Sequence, residues 1–158
     1  MAQIRLQFSR QADVLSSMIA WYGGAPFSHV DAVLPDGRLL GARSDKQGGM
    51  PKGVQIRPPD YARFAVKVVF TLGCTDAQEG AFYDFLHKQI GKPYDHSAIM
   101  GFVTGRNWRQ DGAWICSELV SRAAEIASIM PYAYLAANKI SPGTAAFGFS
   151  VLGARWQA

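Results

Sequence analysis

The stretch 28-SHVDAVLPDGRLLGARSD-45 is the strongest indication of the fold, because it contains two short apolar runs that flank a turn. The turn is Pro35-Asp36-Gly37, in which the proline fixes φ and the glycine accepts a positive φ. Apolar runs on both sides of such a turn predict a β-hairpin. We therefore expect an antiparallel sheet built from this hairpin and later strands, with His29 near the start of the first hairpin strand.

The segments around the hairpin show both strand and helix patterns. Ile4, Leu6 and Phe8 alternate with polar neighbours, which is typical of a strand with one buried face. Further along, two consecutive prolines stop an extended segment that follows a glycine-rich region. The resulting predictions are a strand over residues 3–8, a helix over 11–21, a loop or flap over 44–53, an extended segment from 53 to the Pro58-Pro59 pair, a buried strand over 65–72, a short helix and a loop over 94–112, and a weakly patterned tail over about 140–156.

Two more segments have helical spacing. Thr75, followed three residues later by Gln78, resembles a capping box, and a helix is expected over residues 76–90. A second apolar face starts at Cys116, and we expect its helix to end at Pro131. The fold class is therefore α+β, with the sheet packed against the helix that begins at the cysteine. The apolar face of that helix comprises Leu119, Val120, Ala123, Ala124, Ala127 and Met130.

The composition is that of an ordinary globular protein. The chain has 158 residues, 49% of them hydrophobic and 18% charged, and we expect a single domain over residues 1–158. Sixteen Lys and Arg against twelve Asp and Glu give a net charge of +4, but the basic residues are scattered, which argues against a nucleic-acid partner. A mild attraction to anionic polymers such as bacterial cell wall is consistent with this charge.

The N-terminal residues 1–26 lack the basic start, unbroken apolar stretch and cleavage site of a secretory signal. No apolar run approaches the length of a transmembrane segment. We expect a protein that is cytoplasmic as synthesised, with cell lysis or packaging into a particle as alternative routes of export. The sequence leaves the oligomeric state open.

The stretch 112-GAWICSELVSRAAE-125 places Cys116 where a helix begins. A thiol with an ordinary pKa of about 8.5 is mostly protonated at neutral pH, so a nucleophilic cysteine needs surroundings that stabilise its thiolate. The start of a helix favours a negative charge, and a histidine can accept the thiol proton. The alternative is that Cys116 is a small apolar core residue.

Three histidines are candidates for the proton acceptor. His29 follows a Gly-Gly-Ala-Pro turn, a setting suited to presenting a ring at the edge of a cleft, although a hydrogen-bonded structural role is the alternative. His87 falls inside a predicted helix and His96 in the stretch over 94–112 that has no firm assignment, so both are weaker candidates. The histidines and cysteines have no metal-site spacing, and we predict no metal and no cofactor. A redox pair of Cys74 and Cys116 lacks the Cys-x-x-Cys motif.

Two segments together resemble a known family. GKPYDHSAIMGF (residues 91–102) followed by GAWICSELV (112–120) is similar to the NlpC-type peptidase signature, in which a Pro-Tyr pair precedes the nucleophilic cysteine. In ordinary members the histidine follows the cysteine, whereas here the strand with His29 comes first. This order resembles the circularly permuted papain-like group, which includes the YiiX-like bacterial proteins and, more distantly, lecithin retinol acyltransferase relatives. The resemblance covers roughly residues 25–125.

This resemblance implies a role for each matching residue. It makes Cys116 the nucleophile and His29 the general base that then acts as an acid. Tyr94 matches the tyrosine of the Pro-Tyr pair, which lies near the nucleophile and helps to hold the oxyanion or the cysteine loop. The main-chain N–H of Cys116 would serve the oxyanion hole.

The third residue of the family's site is a polar group that orients the imidazole from the next strand. The equivalent position here is Gly41, with Arg43 and Asp45 nearby, so the chain departs from the family pattern. Asp31 is our substitute, because two residues along a strand its side chain points to the same side as His29. The alternatives are Asp45, a water molecule, a main-chain carbonyl, or a solvated Asp31 with no role.

The activity that the resemblance implies is that of a thiol hydrolase, a peptidase or amidase that cleaves an amide or ester bond through an acyl-thioester. Cell-wall peptide, such as a peptidoglycan fragment, and small acyl-amides are the expected substrates, and acyl transfer to another acceptor is left open. Phe102, Trp108 and Trp114 either line an acyl pocket or pack in the core. The alternative is an inactive binding or assembly module, such as part of a phage or secretion particle, which the glycine at position 41 supports.

Overall fold

The computed structural model describes residues 1–97, 112–130 and 140–157. Within them the fold is α+β, with a six-stranded antiparallel sheet and four helices, so the predicted fold class is confirmed at this level. The strands are β1 (Gln3–Gln11), β2 (His29–Val33), β3 (Leu39–Arg43), β4 (Gly53–Arg57), β5 (Phe64–Gly73) and β6 (Arg155–Gln157). The helices are α1 (Val14–Tyr22), α2 (Asp76–Lys88), α3 (Cys116–Ile126) and α4 (Pro142–Val151).

The predicted hairpin lies inside the sheet, whose strand order is β4-β3-β2-β1-β5-β6. Strands β2 and β3 pair antiparallel, with Val33 opposite Leu39. The turn between them closes through a 2.8 Å hydrogen bond from the Leu34 N–H to the Arg38 carbonyl, and Gly37 has a φ of 84°. Glycine at this position avoids the strain that a side chain would bring.

The two faces of the hairpin have different chemistry. Side chains alternate along a strand, so residues two apart share a face. Val30 and Ala32 of β2 are fully buried in the main apolar cluster, which also contains the apolar face of α3. His29 and Asp31 therefore belong to the opposite face, and they are buried as well. A polar site thus lies on the side of the sheet that the helical core does not fill.

Helix caps follow the sequence signals. Thr75 and Gln78 form both hydrogen bonds of the predicted capping box at the start of α2. Helix α3, however, ends at Ile126, so the predicted end at Pro131 is wrong. Ser128 has a φ of 53°, which ends the helical course of the chain. Met130 is buried in the core without being part of the helix.

Other predictions differ from the structure. The tail expected to be weakly patterned contains α4 and β6, and Ser141 caps α4 by accepting a hydrogen bond from the Thr144 N–H. Strand β5 is only half-buried, because its residues alternate between the core and solvent. Most of the short helix and loop predicted over 94–112 lies outside the described residues. No helix in the described part of the chain is long and apolar enough to cross a membrane.

Candidate active site

The first residue of β2 and the first residue of α3 meet at one place. They are His29 and Cys116, both largely buried, with 9% and 5% of their surfaces exposed. The two groups are close enough for the charge of His29 to lower the pKa of the Cys116 thiol. Elements nearly ninety residues apart in sequence thus bring together the two groups that the sequence analysis paired.

The approach to α3 positions the cysteine. Tyr94 and Trp114 form a parallel bridge, in which the Trp114 N–H donates to the Pro93 carbonyl and the Asp95 N–H to the Trp114 carbonyl, both at 3.0 Å. Ile115 then takes an extended conformation as the N-cap, and no side chain caps the helix. The first N–H groups of a helix have no intrahelical partner, so this end of α3 favours a thiolate at Cys116.

Asp31 orients the ring of His29. Its Oδ1 lies 2.9 Å from Nε2 of the imidazole, and both groups are buried. Since Nε2 faces the carboxylate, Nδ1 is the ring nitrogen left for Cys116. Asp45, the alternative partner, binds Arg43 instead, through hydrogen bonds of 2.7 and 3.0 Å.

The space for this carboxylate comes from Gly41 on the neighbouring strand. A β-carbon built on Gly41 would lie 1.9 Å from Oδ1 of Asp31, far inside any permitted contact. The strand position where the family resemblance expects a polar side chain is therefore filled by a carboxylate from the histidine's own strand. A side chain on β3 and Asp31 cannot occupy this space together.

Tyr61 completes the surroundings of Asp31, and the sequence analysis missed it. Its hydroxyl donates to Oδ2 of Asp31 at 2.8 Å and accepts from Nη1 of Arg43 at 3.1 Å. Tyr61 lies thirty residues beyond Asp31, in the loop after β4. No local pattern around a tyrosine that follows Pro58-Pro59 signals such a contact, because the pairing of β3 and β4 produces it.

The charges of the three central groups support one another. Burial alone would lower the pKa of His29, but the negative charges of Asp31 and Cys116 raise it to about 9. Burial would raise the pKa of Cys116, yet the charge and hydrogen bond of His29, with the Val30 main-chain N–H, bring it below the ordinary thiol value. Burial opposes ionisation of Asp31 too, but His29 and Tyr61 lower its pKa. The three shifts therefore favour the ionised forms of these groups: a thiolate, an imidazolium and a carboxylate.

The other two histidines and Cys74 make different contacts. His87 is exposed on α2, with Nδ1 2.8 Å from the Tyr83 carbonyl oxygen. His96 is exposed and stacks edge-on against Tyr94, with 5.3 Å between ring centroids. Cys74 is a free, partly buried thiol, and burial raises its pKa.

A small polar pocket opens beside His29. Its volume is about 140 Å³, and Tyr94 forms part of its wall together with His29. Half of the lining residues carry a serine hydroxyl or a carboxylate, and they come from β1, from α1 and from the segments next to α1, β2 and β3. The polar lining residues include Ser9, Gln11, Asp13, Ser16, Ser28, Arg43, Ser44 and Asp45.

Trp114, the described member of the expected aromatic cluster, is not among the residues that line this pocket. Trp114 is buried, its Nε1–H donates to Oε1 of Gln89 at 3.2 Å, and its ring packs edge-on against Phe85. Trp114 is therefore a packing residue, while Phe102 and Trp108 lie outside the described residues.

Comparison with known proteins assigns no family to the chain. No protein-family model matches it, and no curated protein matches its sequence. Among the described residues no group of three or more His, Cys, Asp or Glu side chains is arranged to hold a metal ion.

Proposed function

We propose that this protein is a cysteine hydrolase of the peptidase or amidase type, on a circularly permuted papain-like fold of the NlpC group. One observation carries the proposal: the Cys116 thiol, the His29 imidazole and the Asp31 carboxylate come together in one buried cluster, in which Asp31 lies 2.9 Å from His29 and the charge of His29 lowers the pKa of Cys116. A buried thiolate held by an imidazolium is the form of cysteine that attacks carbonyl carbon.

The reaction then follows from the two ring nitrogens of His29. The Cys116 thiolate attacks the carbonyl carbon of an amide or ester, and a C–S bond forms as the carbonyl oxygen takes up negative charge. The imidazolium gives its Nδ1 proton to the leaving nitrogen or oxygen, and the bond from carbon to that atom breaks. Water next gives a proton to Nδ1 and its oxygen attacks the acyl-thioester. Release of the acid restores the thiolate and the imidazolium.

Asp31 and the start of α3 support these steps. Asp31 keeps Nε2 protonated and directed away from the thiol, so that Nδ1 carries the proton that moves. The Cys116 main-chain N–H lies in the first turn of an uncapped helix, where amide groups can stabilise an oxyanion. Tyr94 is proposed to hold the substrate beside this turn, because it shares the pocket wall with His29.

The lining of the pocket bears on the substrate class. A volume of about 140 Å³ with mostly polar walls suits an amide with small polar substituents better than a long acyl chain. Peptides, including fragments of cell-wall peptide, have this chemistry. We therefore favour peptide or small amide bonds over lipid-like acyl groups.

The alternative of an inactive binding or assembly module has lost its main support. That support was the absence of a polar side chain at position 41, and the Asp31 carboxylate now occupies the corresponding space. The alternative remains an outcome of the test below.

The pH dependence of Cys116 alkylation by iodoacetamide, followed by mass spectrometry, tests the proposal. A thiolate already reactive near about pH 6 is expected in the native protein, and reactivity in His29→Gln should shift toward the ordinary thiol pKa of about 8.5. Cys74 in the same sample is the internal control, since burial raises its pKa. An ordinary midpoint for Cys116 that the variant leaves unchanged would refute the hydrolase and favour the binding module.

A further inference from the structure

A buried tyrosine hydroxyl separates a carboxylate from a guanidinium. Tyr61 donates to Oδ2 of Asp31 at 2.8 Å and accepts from Nη1 of Arg43 at 3.1 Å. Its ring also stacks against both nearby guanidinium groups, with centroid distances of 5.2 Å to Arg43 and 5.8 Å to Arg57. Tyr61 is 7% exposed, so water does not screen these contacts effectively.

The hydrogen bonds of the two arginines go to groups other than Asp31. Arg43 donates to both oxygens of Asp45 and to Oε1 of Gln11. Arg57 is 1% exposed and donates to three main-chain carbonyls, those of residues 41, 51 and 53. A direct pair between Arg43 and Asp31 would compete with His29 for the carboxylate, because buried opposite charges attract strongly.

We propose that Tyr61 is a positioning residue that acts as a neutral spacer, holding the Arg43 guanidinium one oxygen atom away from Asp31 and thereby directing the carboxylate's charge to His29. The hydroxyl also fixes which oxygen faces the imidazole, because Oδ2 is engaged and Oδ1 is left for Nε2. The consequence for catalysis rests on the proposed function, whereas the consequence for the protonation of His29 does not.

The titratable and charged groups around His29 and Asp31 determine which of them can change protonation near neutral pH. Cys116 lies near His29 at the start of α3, and Tyr94 lines the pocket beside His29. Arg43 is the last residue of β3, Asp45 follows it in the chain, and Arg57 is on β4. The pKa values of Tyr61, Tyr94 and Arg43 are raised, and that of Asp45 is lowered to about 2. Near neutral pH, changes in protonation at this site therefore belong to His29 and Cys116.

The substitution Tyr61→Phe keeps the ring and removes the spacer oxygen. Arg43 then loses an acceptor and faces Asp31 across the vacated position, so part of the carboxylate's charge is neutralised. We expect the pKa of His29, measured by NMR titration of the histidine ring signals, to fall by about one unit from its value in the native protein. His29→Gln identifies the signals among those of the three histidines. An unchanged or higher pKa of His29 in folded Tyr61→Phe would overturn the proposal.

Two further variants separate a spacer from a merely structural tyrosine. Tyr83→Phe removes a hydroxyl hydrogen bond of the same length, 2.8 Å to the Val33 carbonyl, and should leave the pKa of His29 unchanged. In Tyr61→Phe combined with Arg43→Gln, the competing cation is gone, so the pKa of His29 should recover most of the lost unit. If the two substitutions act additively, or Tyr83→Phe gives the same fall, Tyr61 is not a spacer.

This test is independent of catalysis. If the protein proves inactive as a hydrolase but the pKa of His29 still falls in Tyr61→Phe and recovers in the double variant, the spacer stands and only the proposed function fails. If Cys116 is reactive near about pH 6 but the pKa of His29 is insensitive to Tyr61, the proposed function stands and the spacer fails.

Discussion

The Asp31 carboxylate occupies the space that any side chain at position 41 would need: a β-carbon on Gly41 would lie 1.9 Å from Oδ1 of Asp31. Gly41 does not have a positive φ, so the backbone conformation does not require a glycine there. What requires it is the carboxylate of the neighbouring strand. In the proposed papain-like site, the pair would place the orienting side chain on β2, next to His29, instead of on β3.

Gly41→Ala should displace the Asp31 carboxylate and weaken its contact with His29. The close contact predicts a loss of about 1–3 kcal/mol in the free energy of unfolding, measured by chemical denaturation. The reactivity of Cys116 toward iodoacetamide near pH 6 should fall as well. Gly73→Ala is the matched control, because it adds the same methyl group to a strand glycine with no atom within 4 Å of its β-carbon position. Equal effects of the two substitutions would contradict the steric explanation.

Asp31→Asn removes the charge and keeps the size of the side chain. The charge of Asp31 raises the pKa of His29, so the variant should lower that pKa from about 9. With a measured substrate, kcat should fall roughly 10²- to 10⁴-fold, as for loss of an orienting carboxylate in other nucleophile–histidine sites. Asp36→Asn in the exposed hairpin turn serves as the charge control. Retention of full activity in Asp31→Asn would exclude an orienting role.

The lowered pKa of Asp45 should make the free energy of unfolding depend on pH in the acid range. Burial opposes its ionisation, but hydrogen bonds from Arg43 and Gln47 lower its pKa to about 2 from an ordinary 3.8. A depressed pKa contributes stability that is present above the ordinary value and is lost as the pH falls through about 2. The native protein should thus be more stable than Asp45→Asn at pH 5, and the difference should shrink toward pH 2. Urea unfolding at several pH values measures this, with Asp84→Asn on the exposed side of α2 as control; a pH-independent difference would refute it.

The capping box of α2 should make a measurable contribution to stability. Thr75→Ala removes the hydroxyl that accepts from the Gln78 N–H at 3.2 Å, and loss of an N-cap side chain costs about 0.5–2 kcal/mol. Thermal or urea unfolding should show this loss, whereas Thr75→Ser, which retains a hydroxyl, should stay close to the native value. Because α2 lies outside the site, alkylation of Cys116 should not change in either variant.

Local signals predicted much of the fold. The Pro35-Asp36-Gly37 turn, the alternation around Ile4, and the box at Thr75 are interactions within a few residues, so their outcome is readable from neighbours in the chain. The end of α3 and the helix α4 were not predicted. At Ser128 a turn that lets Met130 reach the core outweighs the helical pattern, and the Ser141-Pro142 start of α4 precedes a stretch without an amphipathic pattern.

The same distinction between local signals and long-range contacts applies to the site. Local periodicity is enough to predict that Cys116 begins a helix, that His29 begins a strand, and that Asp31 shares a face with His29. The remaining contacts come from long-range packing: the Asp31 carboxylate fills the space above Gly41, Tyr61 stands between Asp31 and Arg43, and Asp45 binds Arg43 instead of His29. These contacts depend on the register between neighbouring strands and on where a distant loop packs, and no short stretch of sequence contains that information.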